Sequence, residues 1–373
     1  MNIIQIDPTN RHQVRQFLDL PFRIYRRIPQ WVPPLASDAQ RLFDQRRHPF
    51  YKHSEAAFFV ARDDQEEAIG RLAVLDNQRY NQFNREQTAF FYLFECESDF
   101  EVSRALFEAA FAWARQRGLS QITGPKGFTA LDGMGLLVEG FEHRPAFGIP
   151  YNPSYYPSLI EAVGFEPSGD VVSGYLNRAA QFPERFHRVA ERVRERRGLR
   201  VVRFRKRHDL RMLVPKLKDL YNAALGDTVG NVPLTEDEAR TIANQLLWFA
   251  DPRLIKIVMK GDEPVGFLFA YPDISGAVQR TKGRLFPWGW ITLLLELRRT
   301  KWVNINGAGI TSEYRGLGGT ALLFSEMQKS ILEGGFEHAD LVQIGQDNAR
   351  MQRELEGLGI DFYKRHRLYK RSL

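Results

Sequence analysis

The sequence predicts a two-domain α/β protein built on mixed sheets, and three observations carry that expectation. At 373 residues the chain exceeds the usual span of one hydrophobic core. Short apolar or alternating runs are interspersed with segments of helical periodicity along the whole length. The order of elements in the first half returns in the second.

In the first half, strands are expected at AAFFVARD, AIGRLAVLD and QTAFFYLFECE. A helix follows over EVSRALFEAAFAWARQRG, then a strand at QITGP, a long Gly-rich connection, a helix at SYYPSLIEAVG and a strand at DVVSGYL. In the second half, LRVVRF opens as a strand, and two helices follow over DLRMLVPKLKDLYNAAL and TEDEARTIANQLLWF. Strands RLIKIVMK, EPVGFLFAY and KWVNINGAGI lead to a helix at GTALLFSEMQKSILEGG, a strand at ADLVQIG, a helix at NARMQRELEGLG and a last strand at FYKRHRLYK. Two copies of one mixed α/β unit are the economical reading, supported by the recurring endings EAVGFE and EGLGID. The expected organisation is a first domain over 1–180, a linker helix over 181–198 and a second domain over 199–373.

Hydrophobic residues make up 43% and charged residues 26%, which fits a globular protein and excludes disorder. No stretch reaches the roughly 18 apolar residues of a membrane span, and the start MNIIQIDPTNRHQ lacks a basic flank before an apolar run. A cytoplasmic location is therefore expected. The one cysteine, Cys96, excludes an internal disulfide or a multi-thiolate metal site, and no metal is expected. A net charge of +7 favours an anionic partner. Much of the excess lies in ERFHRVAERVRERRGLRVVRFRKRH and in YKRHRLYKRSL. In the first tract Phe186, Val189, Ala190 and Val193 fall at helical spacing, with Arg188, Arg192 and Arg196 on the other face. That is the pattern of a solvated linker helix, and no base-reading element argues for specific nucleic-acid binding.

The chemistry is expected where KWVNINGAGI runs into TSEYRGLGGT and then into a helix. Gly316, Gly318 and Gly319 let the backbone turn tightly and aim several N–H groups at one point, where the helix N-terminus adds its partial positive charge. Arg315 supplies a cation beside them. The geometry suits a pyrophosphate, whereas a Walker-type run and a Rossmann acidic partner are both missing.

The segment GITSEYRGLGGTALL resembles the acyl-CoA-binding motif of the GNAT acyltransferase superfamily: Arg or Gln, two variable residues, Gly, one variable residue, then Gly or Ala. Arg315, Gly318 and Thr320 fall on those positions, Thr320 departing from the usual small residue. The stretch DNARMQRELEGLGIDFYKRHRLYK resembles the second motif, with Asn348 opening its helix. The resemblance implies two tandem GNAT-like domains, the N-terminal one degenerate. It places acetyl-CoA or another acyl-CoA against Ile310, Thr311, Arg315, Gly316, Leu317, Gly318, Gly319, Thr320 and Asn348. The corresponding first-half loop, CESDFEVSR, has no glycine and carries Glu97 and Asp99.

The activity so implied is N-acyl transfer to a small-molecule or peptide amine, with a backbone N–H near Ile310 stabilising the oxyanion. The superfamily often uses a tyrosine late in the helix after Asn348 as the acid, but Leu355 stands there. Tyr363 and Tyr369 are substitutes by proximity, Asp340 is the candidate base, and Asn304 and Asn306 could orient water; structural roles compete for all of them. A non-catalytic CoA-binding or ligand-sensing protein, or an O-acyl or aminoacyl transferase, is the alternative.

Two further segments stand out. The connection GPKGFTALDGMGLLVEGFEHRPAFGIPYNPSYY offers Asn152, Tyr155 and Tyr156 as substrate-binding groups, or else as a rigid plug in the groove of a lost cofactor. In 283–300, GRLFPWGWITLLLELRRT reads as a buried lid or homodimer-contact helix, with contact to a membrane surface as the alternative.

Overall fold

The structure, a computed structural model, describes residues 1–129, 132–180, 182–204, 206–211, 214–226, 231–247, 249–346 and 349–373. In chain order the first elements are β1 (Asn2–Gln5), α1 (Arg11–Ile24), α2 (Ala36–Arg41), β2 (Glu55–Arg62), β3 (Ala68–Asp76), α3 (Gln78–Asn84), β4 (Thr88–Cys96), α4 (Phe100–Arg115), β5 (Gln121–Gly124), β6 (Leu136–Glu139), α5 (Tyr156–Ala162) and β7 (Glu166–Asn177). There follow α6 (Glu184–Arg197), β8 (Leu199–Arg203), α7 (Arg207–Arg211), α8 (Val214–Leu225), α9 (Glu236–Leu247), β9 (Ile255–Lys260), β10 (Glu263–Pro272), α10 (Ser275–Thr281) and α11 (Gly289–Arg299). The chain closes with β11 (Trp302–Ile310), α12 (Gly319–Glu333), β12 (His338–Gly345), α13 (Ala349–Glu356) and β13 (Asp361–Ser372). Unit 1 comprises Met1–Val171, Ser275–Leu293 and Lys364–Leu373, and unit 2 comprises Val172–Ile274 and Leu294–Tyr363.

In unit 1 the strands lie in the order β1-β2-β3-β4-β5-β13, with β6 also on β13. All neighbours are antiparallel except β4 and β5, which run parallel and are joined through α4. Such a crossover needs a helix, and α4 supplies it with a continuous apolar face: Val102, Leu106, Phe107, Ala110, Phe111 and Ala114 are all buried. Phe107 packs edge-on to Phe91 of β4 at 5.3 Å between ring centroids, and burial of each such ring stabilises by about 1.5–3 kcal/mol. The late residues Lys364–Leu373 belong here because Tyr369–Ser372 pair with β5 and Arg367 forms a two-pronged ion pair with Asp170.

Unit 2 repeats the plan. Its strands run β8-β9-β10-β11-β12, antiparallel up to β11 and parallel between β11 and β12, with β7 next to β12. α12 is the crossover and buries Ala321, Leu322, Leu323, Phe324, Met327 and Ile331. The duplication extends to a fine detail. Leu93, three residues before the end of β4, has φ 52°, and Gly307, three before the end of β11, has φ 107°. Both interrupt a strand directly ahead of the turn into the crossover helix; only the second is glycine, so Leu93 holds a conformation that its Cβ disfavours. The mixed α/β class and tandem arrangement expected from the sequence are what the structure shows. Among the described residues no helix is long and apolar enough to cross a membrane.

Candidate functional site

In unit 2, β11 and β12 pair from Trp302↔His338 to Ile305↔Leu341, and beyond that point β11 continues to Ile310. A turn over Ser312–Tyr314 then leads to Gly318, which adopts φ 87° and starts α12. A helix beginning on glycine in this conformation has no side chain to occupy its first N–H groups, and none caps α12. Thr320 lies inside the first turn of the helix. Ahead of the Ser312–Tyr314 turn in the chain, the Thr311 hydroxyl is buried with no hydrogen-bond partner among the described residues. Open helix-end donors fit an anionic, hydrogen-bonding group.

Helix α6 is more than a linker. Ala190 and Val193 are buried in the core of unit 2, and three contacts fasten the helix to α12. His187 Nδ1 lies 3.1 Å from the Ser325 hydroxyl, Arg194 reaches Glu326 at 3.1 Å, and Val193 packs where Gly318 has no side chain. Glu326 is buried and also pairs with Arg203 and Lys329, so four charged groups bind α6, β8 and α12 together. Thus anchored, α6 directs Arg192, Arg196 and Arg197 to a cavity of about 920 Å³. Ala308–Ile310, Arg315–Gly318, Thr320 and Ala321 form another part of its wall, and Met351, Arg353 and Glu354 of α13 a third. That volume lies near the upper end of the roughly 300–1,000 Å³ of ligand pockets. The arginines of α6 are the site residues that sequence reasoning missed: their spacing was visible, but alternation with glutamates looks the same on a solvated helix.

Arg315 lines the cavity but has a bracing task as well. Its Nε donates to the Ile310 carbonyl at 3.1 Å and its Nη2 to the Ala224 carbonyl at 2.9 Å, tying the loop to β11 and to the end of α8. Gly316, Leu317, Gly318 and Thr320 are all in the cavity wall, as is Ile310, while Gly319 packs against the Ile310 side chain. Asn348 lies outside the described residues. Leu355 is buried in the core of unit 2 and offers no acid.

A second polar group lies on the paired half of the same two strands. Asn304 sits opposite Asp340 and donates from Nδ2 to Asp273 at 2.9 Å, with all three residues buried. Asn306 donates to the Tyr271 hydroxyl at 3.4 Å. Tyr363 hydrogen-bonds Asp340, and burial, with the Asp340 charge next, pushes its hydroxyl far above the ordinary range. The two catalytic candidates from the sequence therefore meet, with Tyr363 as donor and Asp340 as acceptor. Asn304 precedes Ala308 of the cavity wall by four residues, about 13 Å along a strand. Tyr369 is elsewhere: it is fully buried in unit 1 and bonds Glu161 at 3.2 Å.

The corresponding position in unit 1 is closed by its own side chains. Asp99 caps α4, accepting from the N–H groups of Glu101 and Val102 at 2.8 and 3.3 Å, so the helix end that would meet a phosphate already holds a carboxylate. Asn152, Tyr155 and Tyr156 are used in the scaffold. Asn152 exchanges two hydrogen bonds with the Leu137 backbone, and Tyr155 donates to the Cys96 carbonyl at 2.9 Å. Tyr156 donates to Glu95 at 2.8 Å and accepts the Cys96 N–H at 2.9 Å. Tyr25 and Arg71 complete this buried network on Glu95.

No family model matches the chain. It is 26% identical over 371 residues to Protein YghO of Escherichia coli (strain K12), covering 98% of this chain and 94% of that protein. It is 27% identical over 371 residues to Bacterial ceramide synthase of Caulobacter vibrioides (strain NA1000 / CB15N), covering 97% and 95%. Among solved structures, a tandem GNAT protein from the clavulanic acid biosynthesis pathway superposes with a TM-score of 0.57 at 13% identity, covering 100% of this chain and 98% of that one. The crossover helix of each unit and the glycine-started α12 in the second are accounted for together by one architecture: the chain has the fold of a tandem GCN5-related N-acetyltransferase protein.

Proposed function

We propose that the protein is an acyl-CoA-dependent N-acyltransferase that binds its donor in unit 2 and acylates a long-chain primary amine. The observation that carries this reading is the contrast between the two crossover helices: α4 is capped by Asp99, whereas α12 starts on Gly318 uncapped and faces a cavity edged with arginines. The first-turn N–H groups of α12 with Arg192 and Arg196 would hold the phosphates. Acyl-CoA supplies the activated carbonyl, so that a C–N bond forms as the C–S bond breaks and CoA leaves as thiolate, which takes up a proton from water. The carboxylate of Asp340 takes the proton of the attacking amine, Tyr363 holds that carboxylate in place, and the high proton affinity of the Tyr363 hydroxyl keeps it a donor to Asp340.

The acceptor class is supported by the relative named Bacterial ceramide synthase, which matches along nearly its whole length. A ceramide is the amide of a fatty acid and a long-chain amino alcohol, the product expected when this chemistry meets such an amine. Leu355 packed where the superfamily often carries its acid favours a second reading, a protein that binds CoA without turnover.

The test is incubation of the full chain with acetyl-CoA or palmitoyl-CoA and a panel of short and long-chain amines, following free thiol and the amide by mass spectrometry. Amide with a long-chain amine, falling roughly 10²–10⁴-fold in Asp340→Asn, supports the proposal. CoA binding with no amide from any amine would leave the binding-only reading.

A further inference from the structure

We propose that the segment 282–299 is a docking surface for an anionic lipid bilayer. The face is apolar and exposed: Phe286 is 84% and Trp288 72% exposed, and Trp290, Ile291, Leu294 and Leu295 also face solvent. In α11 the last three recur at the spacing of one helical face, while Leu293 points inward and is buried. Two tryptophans and a phenylalanine side by side are the residues that settle at a membrane–water boundary, with apolar bodies and, for tryptophan, an N–H that needs a partner. Trp290 already has its partner in the Pro287 carbonyl, 3.0 Å away, so its ring can enter an apolar layer without an unpaired donor.

Charge selects the occupant. Lys282 and Arg284 precede the aromatic cluster and Arg298 and Arg299 follow it, against the single acid Glu296. These four cations are exposed, and none has an ion pair among the described residues. An apolar centre with a cationic rim complements anionic headgroups over acyl chains, whereas a self-paired dimer would bring two such rims together. The base beneath is fixed. The Gln279 side chain donates to the Pro29 and Trp31 carbonyls at 2.8 and 2.9 Å, and the Gly283 carbonyl accepts the Ala36 N–H at 2.9 Å. A side chain at Gly283 would strike the Pro34 carbonyl oxygen, so the start of the segment is held close against the Pro34 backbone.

The inference is independent of the donor and acceptor proposed above, because the test needs neither. The full chain is mixed with phosphatidylcholine vesicles with and without phosphatidylglycerol, and sedimentation is measured across salt concentrations. Binding to the anionic vesicles alone, weakened by salt, is expected. Phe286→Ser and Trp288→Ser should each weaken it by about tenfold, and Arg298→Gln and Arg299→Gln by about fivefold each. All four positions are exposed, and unchanged thermal unfolding confirms that the variants fold. Absence of vesicle binding, binding untouched by both pairs of substitutions, or a concentration-dependent dimer that the aromatic substitutions dissolve would each overturn the proposal.

Discussion

A Cβ placed on Gly318 would stand 2.5 Å from Cγ2 of Val193, so the start of α12 and the middle of α6 fit only because one of them has no side chain. The same glycine holds φ 87°, which an L side chain disfavours in its own right. Gly318→Ala should therefore destabilise the protein by about 1–3 kcal/mol through both effects. Val193→Ala clears the contact but leaves the backbone strain. A double-mutant cycle by denaturant unfolding should show the pair costing less than the sum of the single changes; strict additivity would mean that the two residues do not share the contact.

The hydroxyl of Tyr156 holds a buried carboxylate and a buried backbone N–H at once. Tyr156→Phe leaves both groups short of a partner at almost unchanged volume, so a loss of about 1–3 kcal/mol is expected. Turnover per folded molecule should stay at the wild-type level, because the Glu95 network lies in unit 1 and takes no part in the donor cavity. Thermal unfolding together with a thiol-release assay checks this. Reduced turnover with intact stability would return these tyrosines to a substrate role.

How legible the site was depends on what each residue type can reveal. The glycine-started turn, Arg315 and the strand before it could be found because glycines at that spacing mark a tight turn from a strand into a helix, the backbone of an anion cradle or of a plain turn. The fold could be found because period-two and period-3.6 patterns survive in both halves. The arginines of α6 could not: only the packing of Val193 against Gly318 and of Arg194 on Glu326 fixes which face of that helix meets the cavity. Nor could the roles of Asn152 and Tyr156 be read, since a polar side chain in a Gly- and Pro-rich segment looks the same whether it serves a ligand or a neighbouring backbone. The places of 275–293 and 364–373 in unit 1 rest on long-range pairs such as Gln279 with Pro29 and Tyr369 with Gly124, which leave no local trace.

His366 sets a pH dependence. It is fully buried, Nε2 lies 2.9 Å from the Pro150 carbonyl, and desolvation drives its pKa down from 6.5 to about 4. The folded pKa lies below the unfolded one, so the contribution to stability is fully present above pH 6.5 and is lost as pH falls from 6.5 towards 4. The whole effect is about 3 kcal/mol. His366→Gln keeps a donor for Pro150 and cannot take up the proton, so its unfolding midpoint should fall less than that of the wild type over this range. Parallel curves for the two proteins would contradict the assignment.

The central claim is that unit 2, through the open end of α12 and the arginines of α6, binds the phosphates of CoA. Isothermal titration of CoA into the full chain, alongside Arg192→Glu/Arg196→Glu, tests it most directly. One CoA per chain is expected, weakened by about tenfold or more in the double variant because two cations beside the helix end become carboxylates. No binding to the wild type, or equal affinity in the two proteins, would contradict the account.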